Sequence, residues 1–574
     1  MITLLATINL FRKDVRDRDN FLRIVVSDFF QVQHGKTFLF PPPKATDDEK
    51  IPIDLPLFDG MVGNFPYIRQ ELIERQIKGY KTSIVQAIAR EWFWKDQSLF
   101  TVRGIRDVEL QSMEHDPNRQ QWLQKQIEGE RIALRLSGQA DIYAYLFYHA
   151  AALLKEGGRM GIVTSNAWLD VAYGVELKRF FLNHFKIVAI VASWCEPCFE
   201  DAAINTAFVV LERCENAEQR KSNIVRFVKV KKPLAELLPQ DLLLREAERW
   251  QKVDALVREI ETADARITAW NPTTGEVQSL RGIHTVETDA FRIRLVPQSE
   301  LEAELKTKGE TAKWGLYIRA PQVYFDILAQ AGCKLVPLSQ VAKVRFGIKT
   351  GINDFFYLKP LEGKSVPGTL RVTNAQGWVG EIEEGCLRPV IKSPKEAAGL
   401  VVEPQKLRYR LFLPPVDPSS PDPLGELQKR YPLAYEYVKW GEQQRTPQDQ
   451  SWSHVPSVKG RKAWWLLGER KPASFLTMGF IDRRFFILEN AGVLASDVMF
   501  EWDFRDSSMR DPSMRDPSML ELNMALVNSA LTYLLLEMIG RQNLGDGVLK
   551  IIGPELNALL IPDPSIICDT DRKK

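Results

Sequence analysis

Apolar runs with the length of strands alternate with segments of helical periodicity through the first part of the chain. Phe21–Val26 and Phe58–Val62 read as short buried strands, and Asp28 follows the first of them. Residues 141–154 carry apolar side chains at helical spacing, and the glycine pair at 157–158 predicts where that helix ends. Strands that alternate with helices in this way predict an α/β fold built on a parallel sheet.

The alternation continues further along the chain. Met160–Thr164 predicts another strand, residues 165–169 a loop, and Val175–Phe185 another helix. The apolar segments at 186–194 and 204–213 predict two strands that form a hairpin.

Changes in composition predict three regions. Residues 1–215 hold the alternation of strands and helices, whereas residues 216–330 turn charged and helical, with clear amphipathic periodicity at 235–261. Residues 331–574 are rich in short strands, Pro turns and tryptophans, so we expect a mixed α+β domain there. Within it, the tandem Met-Arg-Asp-Pro-Ser repeat at 503–519 predicts an exposed loop.

The overall composition is that of a large globular protein. The 574 residues are 45% hydrophobic and 26% charged, which predicts several domains that each bury a core. The net charge of +2 excludes a global nucleic-acid signature, so any DNA surface must be a local basic patch. Because the sequence shows no apolar window of about 18 residues and no signal peptide, we expect a cytoplasmic protein. Six cysteines without a framework spacing argue against a disulfide scaffold.

Candidate chemistry begins at Asn64-Phe65-Pro66-Tyr67, directly after the predicted strand at 58–62. The Asn64 side chain offers a carbonyl acceptor, the backbone carbonyl of Phe65 offers a second one, and Tyr67 offers a ring face. Two acceptors and a ring suit the exocyclic amino group of a planar base that has left its stack. An ordinary turn after a strand is the alternative interpretation, because Asn, Gly and Pro are turn residues.

This tetrapeptide resembles motif IV of the amino-methyltransferases, written (N/D)PP(Y/F), with Phe65 in place of the first Pro. The segment Asp28-Phe29-Phe30 resembles motif III, where the family contacts the adenine of S-adenosylmethionine. Together with the predicted elements up to residue 213 and the loop Ser165–Leu169, the order of motifs resembles the Eco57I-like branch of N6-adenine DNA methyltransferases. That branch includes the type IIG restriction-methylases.

The resemblance implies a Rossmann-like, S-adenosylmethionine-dependent methyltransferase sheet in the first region. The implied reaction is direct methyl transfer to the N6 atom of a flipped adenine in double-stranded DNA, with no metal. The implied catalytic residues are Asn64, Phe65, Pro66 and Tyr67, and the implied cofactor-binding residues are Asp28 and Phe29.

The last region carries a second resemblance. The segment VAKVRFGIKTGINDFFYL, which starts at Val341, is similar to the opening of the TaqI-type specificity domain, and residues 524–562 resemble the closing pattern of that family. Glycines at 347 and 351 suit a backbone that passes close to a phosphate. The resemblance implies a target-recognition domain that binds DNA through Lys349, Thr350, Asn353, Arg541 and Asn543.

One part of the family pattern is not found in the sequence. No Gly-x-Gly turn precedes Asp28, although the family binds its cofactor with an N-terminal strand and a Gly-rich turn. In that fold the first strand lies between the strands of motifs III and IV. We therefore expect an N-terminally incomplete sheet, and a separate N-terminal methyltransferase or restriction subunit as a partner beside DNA.

Other functions stay open at this stage. A non-catalytic DNA-recognition or specificity subunit, or a truncated remnant, is the main alternative. A methyltransferase for rRNA or for a protein glutamine is a third, although the long C-terminal region argues against it. No PD-(D/E)xK-like nuclease site is found.

Several remaining features favour structural roles. We expect His149, Trp452, Trp464 and Trp465 to pack in cores. The single CxxC at 195–198 has no second pair, and the histidines have no metal spacing, so no metal site is predicted. A basic set is either a phosphate-contacting surface or an ordinary solvated face, and it comprises Arg461, Lys462, Arg470, Lys471, Arg483 and Arg484.

Overall fold

The chain divides into two compact units after Phe325, and each has its own hydrophobic core. The computed structural model describes residues 26–40, 49–76, 78–113, 115–193, 195–196, 205–238, 246–264, 283–363, 365–481, 486–505, 517–541 and 548–563. The predicted strand at 21–26 lies outside these residues except for its last position.

The first unit combines strands and helices in alternation. Its strands are β1 (Thr37–Phe40), β2 (Ile51–Asp54), β3 (Phe58–Asn64), β4 (Phe100–Val102), β5 (Ile132–Leu134), β6 (Leu154–Ser165), β7 (Phe185–Ser193), β8 (Thr206–Arg213), β9 (Ile224–Val230), β10 (His284–Glu287) and β11 (Phe291–Pro297). Its helices are α1 (Gln70–Gln76), α2 (Tyr80–Trp92), α3 (Asp107–Ser112), α4 (Arg119–Glu128), α5 (Ile142–Ala152), α6 (Gly174–His184), α7 (Ala217–Lys221), α8 (Leu234–Leu237), α9 (Glu246–Glu261), α10 (Gln298–Lys308) and α11 (Gly315–Arg319), and α12 (Gln322–Ala331) begins in it.

Seven of these strands form one sheet in the order β10-β11-β9-β7-β8-β6-β3. Strand β3 pairs in parallel with β6, β8 runs antiparallel to both β6 and β7, and β7 pairs in parallel with β9. The predicted hairpin at 186–194 and 204–213 is confirmed as the pair β7–β8. Strand β8 runs in the direction opposite to its neighbours β6 and β7, so the sheet is mixed rather than purely parallel.

Helices α5 and α6 pack on one face of this sheet, and their side chains form the core of the unit together with those of α2, which packs on α5. Helix α5 is buried along most of its length, which explains why its sequence is apolar on every side. The helix ends at Ala152 rather than at the predicted residue 154. Strand β6 begins at Leu154 and takes in the glycine pair, where Gly157 has a φ of 76°.

The other face is covered over only part of its width. Helix α9 and neighbouring residues pack on β9 and β11. Over β3, β6 and β8 the side chains are more exposed, and Val62 and Phe208 have exposed fractions of 86% and 39%. No described strand pairs with the outer edge of β3, which makes β3 an edge strand among the described residues.

The helical prediction for residues 216–330 is only partly right. Helix α9 confirms the amphipathic periodicity, yet β9, β10 and β11 in the same stretch extend the sheet. These strands alternate apolar residues with arginine and lysine, as in IVRFVKV and FRIRLVP, so the charged composition hid their period of two. The three strands at one side of the sheet, β10, β11 and β9, therefore lie within the stretch predicted to connect two domains.

The second unit is a mixed arrangement of strands and short helices, as predicted for this region. Its strands are β12 (Leu335–Pro337), β13 (Ala342–Phe346), β14 (Tyr357–Pro360), β15 (Thr369–Thr373), β16 (Val379–Glu383), β17 (Leu387–Ile391), β18 (Val401–Val402), β19 (Tyr409–Phe412), β20 (Phe475–Met478), β21 (Phe480–Ile481), β22 (Leu488–Asn490), β23 (Leu494–Ala495), β24 (Met499–Phe504), β25 (Leu549–Lys550) and β26 (Leu560–Pro562). Its helices are α13 (Leu338–Val341), α14 (Asn353–Phe356), α15 (Pro423–Arg430), α16 (Pro432–Glu442), α17 (Pro456–Lys459), α18 (Pro517–Val527), α19 (Ala530–Ile539) and α20 (Gly553–Ala558).

Two larger sheets organise the second unit, with the orders β13-β24-β20-β22-β18 and β16-β15-β14-β19-β17-β23. Trp452, Trp464 and Trp465 are buried in its core, which confirms the structural interpretation of these residues. The repeat at 503–519 departs from the loop prediction at both ends, because β24 runs to Phe504 and α18 begins at Pro517. Residues 506–516 of the repeat lie outside the described residues.

Among the described helices, none is by itself long and apolar enough to cross a membrane. The bent pair Glu521–Val527 and Ala530–Ile539 passes that test only when its two segments are taken together across a 47° bend.

Candidate active site

The predicted catalytic residues stand at the C-terminal end of β3. Asn64 is the last residue of the strand and is exposed, whereas Phe65 is buried, and Pro66 and Tyr67 are half-buried. The Phe65 amide donates a hydrogen bond of 3.1 Å to the carbonyl of Val163 in β6, so the pairing of the two strands continues into the turn.

The start of α5 holds the other side of this turn. The Ile142 amide donates to the carbonyl of Ile68 at 3.2 Å, and the Gln70 amide donates to the carboxylate of Asp141 at 3.1 Å. Burial raises the pKa of Asp141, while its bond from the Gln70 amide acts in the opposite direction. The turn after β3 is therefore fixed both by the sheet and by the next long helix.

The side chain of Phe65 explains why a proline does not stand at this position. Its ring packs edge-on against Phe147 of α5 at a centroid distance of 5.1 Å and lies 6.5 Å from the ring of Phe29. A proline would lose both ring contacts and would also lack the N–H that Phe65 donates to Val163. The backbone carbonyl at position 65, which is the group that the predicted chemistry uses, is present with either residue.

The predicted cofactor-binding residues form a short turn beside the catalytic residues. Asp28 precedes a single 3₁₀ turn at Phe29–Gln31, and its carboxylate accepts a hydrogen bond from the Phe30 amide at 3.0 Å. The Tyr80 hydroxyl of α2 donates to the same carboxylate, at 3.1 Å and 3.0 Å from its two oxygens. Burial of Tyr80, together with the Asp28 charge, raises the pKa of the Tyr80 hydroxyl well above its usual value.

His149 supports this turn from inside the protein. Its Nε2 atom is 2.8 Å from the carbonyl of Phe29, and its Nδ1 atom is 2.9 Å from the carboxylate of Glu91. The imidazole is fully buried and lies between the rings of Phe29 and Phe30, at centroid distances of 5.1 Å and 5.3 Å. The core position predicted for His149 is confirmed, and its hydrogen bonds add a link from the turn to helix α2.

The structure thus brings the two predicted groups together, since the contact between Phe29 and Phe65 joins their turns. Sequence reasoning missed Tyr80 and Glu91, which belong to none of the motifs that carry the resemblance to the family. A signal was available, because these residues are eleven positions apart in a helix of clear amphipathic pattern. That spacing is about three helical turns, so both side chains lie on one face.

The predicted DNA-binding residues of the second unit have different surroundings. Lys349 and Asn353 are exposed, but Thr350 is only 1% exposed and donates its hydroxyl to the Asn353 side chain at 2.6 Å. The fold of the second unit itself requires glycine at positions 347 and 351. A Cβ at Gly347 would lie 2.0 Å from the Ser496 carbonyl, and Gly351 has a φ of 79°.

Part of the basic set serves to hold this segment. Arg461 donates to the carbonyl of Lys349 at 3.0 Å, and Arg470 bonds to the buried carboxylate of Glu501 at 2.9 Å and to the carbonyl of Phe346. Lys462 donates to the carbonyls of residues 419 and 420. These head groups are engaged within the protein, which favours a structural role for them, and positions 483 and 484 lie outside the described residues.

Arg541 is also bound within the second unit. Its Nε atom lies 2.7 Å from the carboxylate of Glu555, whose side chain is 3% exposed. Its backbone pairs with Lys550 through bonds of 2.8 Å and 3.0 Å. Asn543 lies outside the described residues.

Among the residues that the structure describes, no group of three or more His, Cys, Asp or Glu side chains is placed to hold a metal ion. Cys195 is exposed, and its thiol lies 2.6 Å from the Lys231 carbonyl. The second cysteine of the CxxC pair, at 198, lies outside the described residues.

Comparison with known proteins bears on the middle of the first unit. Residues 108–199 match the family described as Eco57I restriction-modification methylase. The matched range contains α5, β6, α6 and β7, and it does not include the turn at 64–67.

Solved structures with some likeness to this chain come from restriction-modification proteins. The type IIL enzyme MmeI in complex with DNA aligns over 86% of this chain and 45% of its own, at 9% identity and a TM-score of 0.36. The type IIG endonuclease BpuSI aligns over 76% of this chain and 44% of its own, at 14% identity and a TM-score of 0.29. A type I methyltransferase subunit from Streptococcus thermophilus aligns over 47% and 40%, at 14% identity and a TM-score of 0.22.

These TM-scores are too low to establish a common fold, and the chain spans less than half the length of MmeI and of BpuSI. The family match is therefore the finding that bears on identity. Residues 108–199 carry the sequence pattern of the Eco57I restriction-modification methylases, which confirms over that range the resemblance recognised in the sequence.

Proposed function

We propose that this chain is the adenine-binding and DNA-reading part of a site-specific DNA adenine N6-methyltransferase of a restriction-modification or phage-defence system. The observation that carries the proposal is the contact between two turns. Asn64 and Phe65 end strand β3, and the Asp28–Phe29 turn packs against them through the rings of Phe29 and Phe65. The methylase family match begins further along the same unit, at residue 108.

The residues after β3 supply the groups that this reaction needs. The side-chain carbonyl of Asn64 and the backbone carbonyl of Phe65 accept hydrogen bonds from the N6 amino group of a flipped adenine. These bonds favour the tetrahedral, nucleophilic nitrogen and become stronger as positive charge develops on it in the transition state. The ring of Tyr67 provides a surface on which the base stacks.

The chemistry of the Asp28 turn fits S-adenosylmethionine. The Asp28 carboxylate accepts bonds from the Phe30 amide and the Tyr80 hydroxyl, and a carboxylate has room for about four such bonds. A further acceptor position is thus left for a donor such as the adenine amino group of the cofactor, beside the ring of Phe29. When bound, S-adenosylmethionine supplies an electrophilic methyl group.

The second unit would read the DNA. Lys349 and Asn353 are exposed on the segment that resembles the TaqI-type opening, and the buried hydroxyl of Thr350 holds the Asn353 side chain in place. Arg541 and Asn543 begin the sequence RQNLGDGVLK at 541–550, which its glycines and polar residues predict to be a loop, and Arg541 is anchored on Glu555. In this proposal Lys349 neutralises a phosphate, while Thr350 and Arg541 act chiefly by holding the surface that binds DNA.

We also propose that the sheet is Rossmann-like and is completed by a second polypeptide, such as a separate N-terminal methyltransferase or restriction subunit. The support is the outer edge of β3, which no described strand pairs, and the exposure of Val62 on the adjoining face. Edge strands with free backbone groups and an apolar face are ready to accept another strand. Strand β3 ends in Asn64, so such a strand would lie next to the candidate site.

Transfer of a labelled methyl group from S-adenosylmethionine to DNA tests the proposal. The chain would be assayed alone and mixed with the product of the adjacent upstream reading frame, and the methylated base would be identified after digestion. We expect N6-methyladenine, formed only in the mixture. Methylation of another base would contradict adenine specificity, and DNA binding without any transfer in the mixture would favour the recognition-subunit alternative.

The variant Asn64→Ala serves as the matched control in this assay. Because Asn64 is exposed at a strand end, its truncation removes an acceptor and little packing. We expect at least a 100-fold loss of transfer, by analogy with removal of one group that stabilises a transition state, while DNA binding stays close to wild type. Full activity of Asn64→Ala would show that the motif is misassigned.

A further inference from the structure

Helix α2 contacts the turn at Asp28–Gln31 at two separate points. Near its first residue, the Tyr80 hydroxyl bonds to both carboxylate oxygens of Asp28. Near its last residue, Glu91 bonds to His149, and His149 bonds in turn to the carbonyl of Phe29. One helix thus reaches both the side chain and the backbone of the turn, although the two points are about three helical turns apart.

The bonds of His149 fix how its protons are arranged. A carbonyl oxygen only accepts hydrogen bonds, so Nε2 must carry the proton that is donated to Phe29. The other ring nitrogen then shares one proton with the carboxyl group of Glu91. The pair is either an imidazolium with a carboxylate or an imidazole with a carboxylic acid, and the contact of 2.9 Å holds in both forms.

Burial keeps this link rigid. The His149 side chain is fully buried and that of Glu91 is 12% exposed, so water does not compete for their bonds. Burial raises the pKa of Glu91, and the bond to His149 opposes that rise. His149 also makes a T-shaped contact with the Phe29 ring, at an interplanar angle of 86°. Phe29 is therefore restrained both at its backbone carbonyl and at its ring.

These bonds end on the two groups that would face the cofactor. Tyr80 restrains the carboxylate of Asp28 from rotating, and His149 restrains Phe29, whose ring also touches Phe65 of the catalytic turn. His149 is fully buried and the side chain of Glu91 is 12% exposed, so neither presents a surface to the transferred methyl group or the target base. The Tyr80 hydroxyl is engaged by the Asp28 carboxylate. Their effect must therefore pass through Asp28 and Phe29.

We infer that Tyr80 and the Glu91–His149 pair are positioning residues that orient the Asp28 carboxylate and Phe29 toward the adenine ring of S-adenosylmethionine. This inference rests on the proposed function. It assigns a role to helix α2, which lies outside the range matched by the methylase family. The helix would make the affinity for the cofactor depend on a hydroxyl and an imidazole that do not contact it.

Calorimetric titration with S-adenosylmethionine tests this inference on the form of the enzyme that carries out methyl transfer. Tyr80→Phe removes only the hydroxyl, so we expect binding about five- to tenfold weaker, as for the loss of one positioned hydrogen bond. His149→Leu should weaken binding to a similar degree. His149→Gln should recover much of it, since the glutamine amide can donate to the carbonyl of Phe29.

Tyr145→Phe is the matched control, because Tyr145 is a tyrosine of the neighbouring helix α5 whose hydroxyl is not among the groups that bond to Asp28. Hydrogen exchange provides a second readout, and exchange of the Phe30 amide should become faster in Tyr80→Phe but not in Tyr145→Phe. Unchanged cofactor affinity in both Tyr80→Phe and His149→Leu would overturn the positioning role alone. A wild-type enzyme that binds no S-adenosylmethionine would overturn the cofactor assignment itself, which separates the two failures.

Discussion

The ring of Phe65 lies 6.5 Å from the ring of Phe29, at an interplanar angle of 50°, and this contact joins the end of β3 to the turn that starts at Asp28. Phe65 also packs on Phe147 and donates its amide hydrogen to Val163. Phe65 stands where the written form of motif IV has its first proline, and here it makes three structural contacts. Its backbone carbonyl is the only part that the proposed chemistry needs.

We expect Phe65→Pro to destabilise the first unit by about 3 kcal/mol or more, because it removes a buried ring and a hydrogen bond between strands. Phe65→Leu is the control, since it keeps the N–H and much of the buried volume, and it should cost about 1 kcal/mol. Chemical denaturation of the full-length variants measures both values. Equal stability of the two variants would mean that the amide and ring contacts carry little weight.

The buried ammonium group of Lys178 predicts a dependence of stability on pH. It donates to the carbonyl of Ala312 at 2.6 Å, and burial lowers its pKa from 10.5 to about 8. Between these two values the folded protein binds fewer protons than the unfolded chain, so the free energy of unfolding rises with pH. Below about pH 8 the Lys178 ammonium group is charged in both the folded and the unfolded state, so the folded protein carries the full cost of burying that charge.

This rise should reach roughly 3 kcal/mol between pH 8 and pH 10.5, as an upper estimate from the size of the pKa change. The measurement is the difference in unfolding free energy between wild type and Lys178→Met across this range, which cancels the titration of other groups. The unfolding free energy of wild type should increase relative to that of Lys178→Met as the pH rises. A difference that stays flat would show that the ammonium group keeps an ordinary pKa.

Much of the first unit could be predicted from the sequence because its core elements are apolar and locally regular. The pair β7–β8 and helix α6 follow the predicted alternation closely, and strand β6 includes the predicted strand at 160–164 although it begins at Leu154. Strand β11 could not be recognised in the same way, because its apolar pattern is interrupted by the buried Arg294. Its guanidinium stacks on Phe325 and donates to the carbonyl of Tyr317, contacts that only the tertiary fold provides.

The candidate site likewise contains some residues that local sequence patterns identify and others that they do not. Asn64 and Asp28 could be singled out because short motifs carry their chemistry, and their roles remain predictions. The contacts of Tyr80 and His149 with the Asp28 turn depend on how α2 and α5 pack, and no local pattern specifies that packing. Thr350 was predicted to bind DNA from a motif as well, and its burial and its bond to Asn353 are again features that only the tertiary fold reveals, so its role in DNA binding remains a prediction.

The exposed Lys349 predicts a specific change in DNA binding. Lys349→Ala should weaken binding to a mixed-sequence duplex and lower the slope of log K against log salt concentration by about one, since one phosphate contact is lost. Lys429→Ala is the control, because Lys429 is also exposed but lies on helix α15, away in sequence from the predicted DNA-binding segment. Fluorescence anisotropy at several salt concentrations measures both slopes. Identical slopes for the two variants would exclude Lys349 from the DNA interface.

Arg541 predicts an effect on stability that must be separated from any effect on DNA binding. Its guanidinium bonds to Glu555 at 2.7 Å, and the Glu555 carboxylate is buried. Arg541→Ala takes the positive charge away from a buried carboxylate, so we expect a loss of about 3 kcal/mol in unfolding free energy. The double variant Arg541→Ala with Glu555→Gln should recover most of this loss, because the remaining side chain is neutral.

Chemical denaturation of the single and double variants gives the coupling between these two residues, and DNA affinity is measured at a temperature where both are folded. If Arg541 acts only by holding the loop, the double variant should regain DNA affinity along with stability. If Arg541 also contacts DNA, stability should return while affinity stays low. A single variant that unfolds like wild type would mean that the ion pair does not anchor this loop.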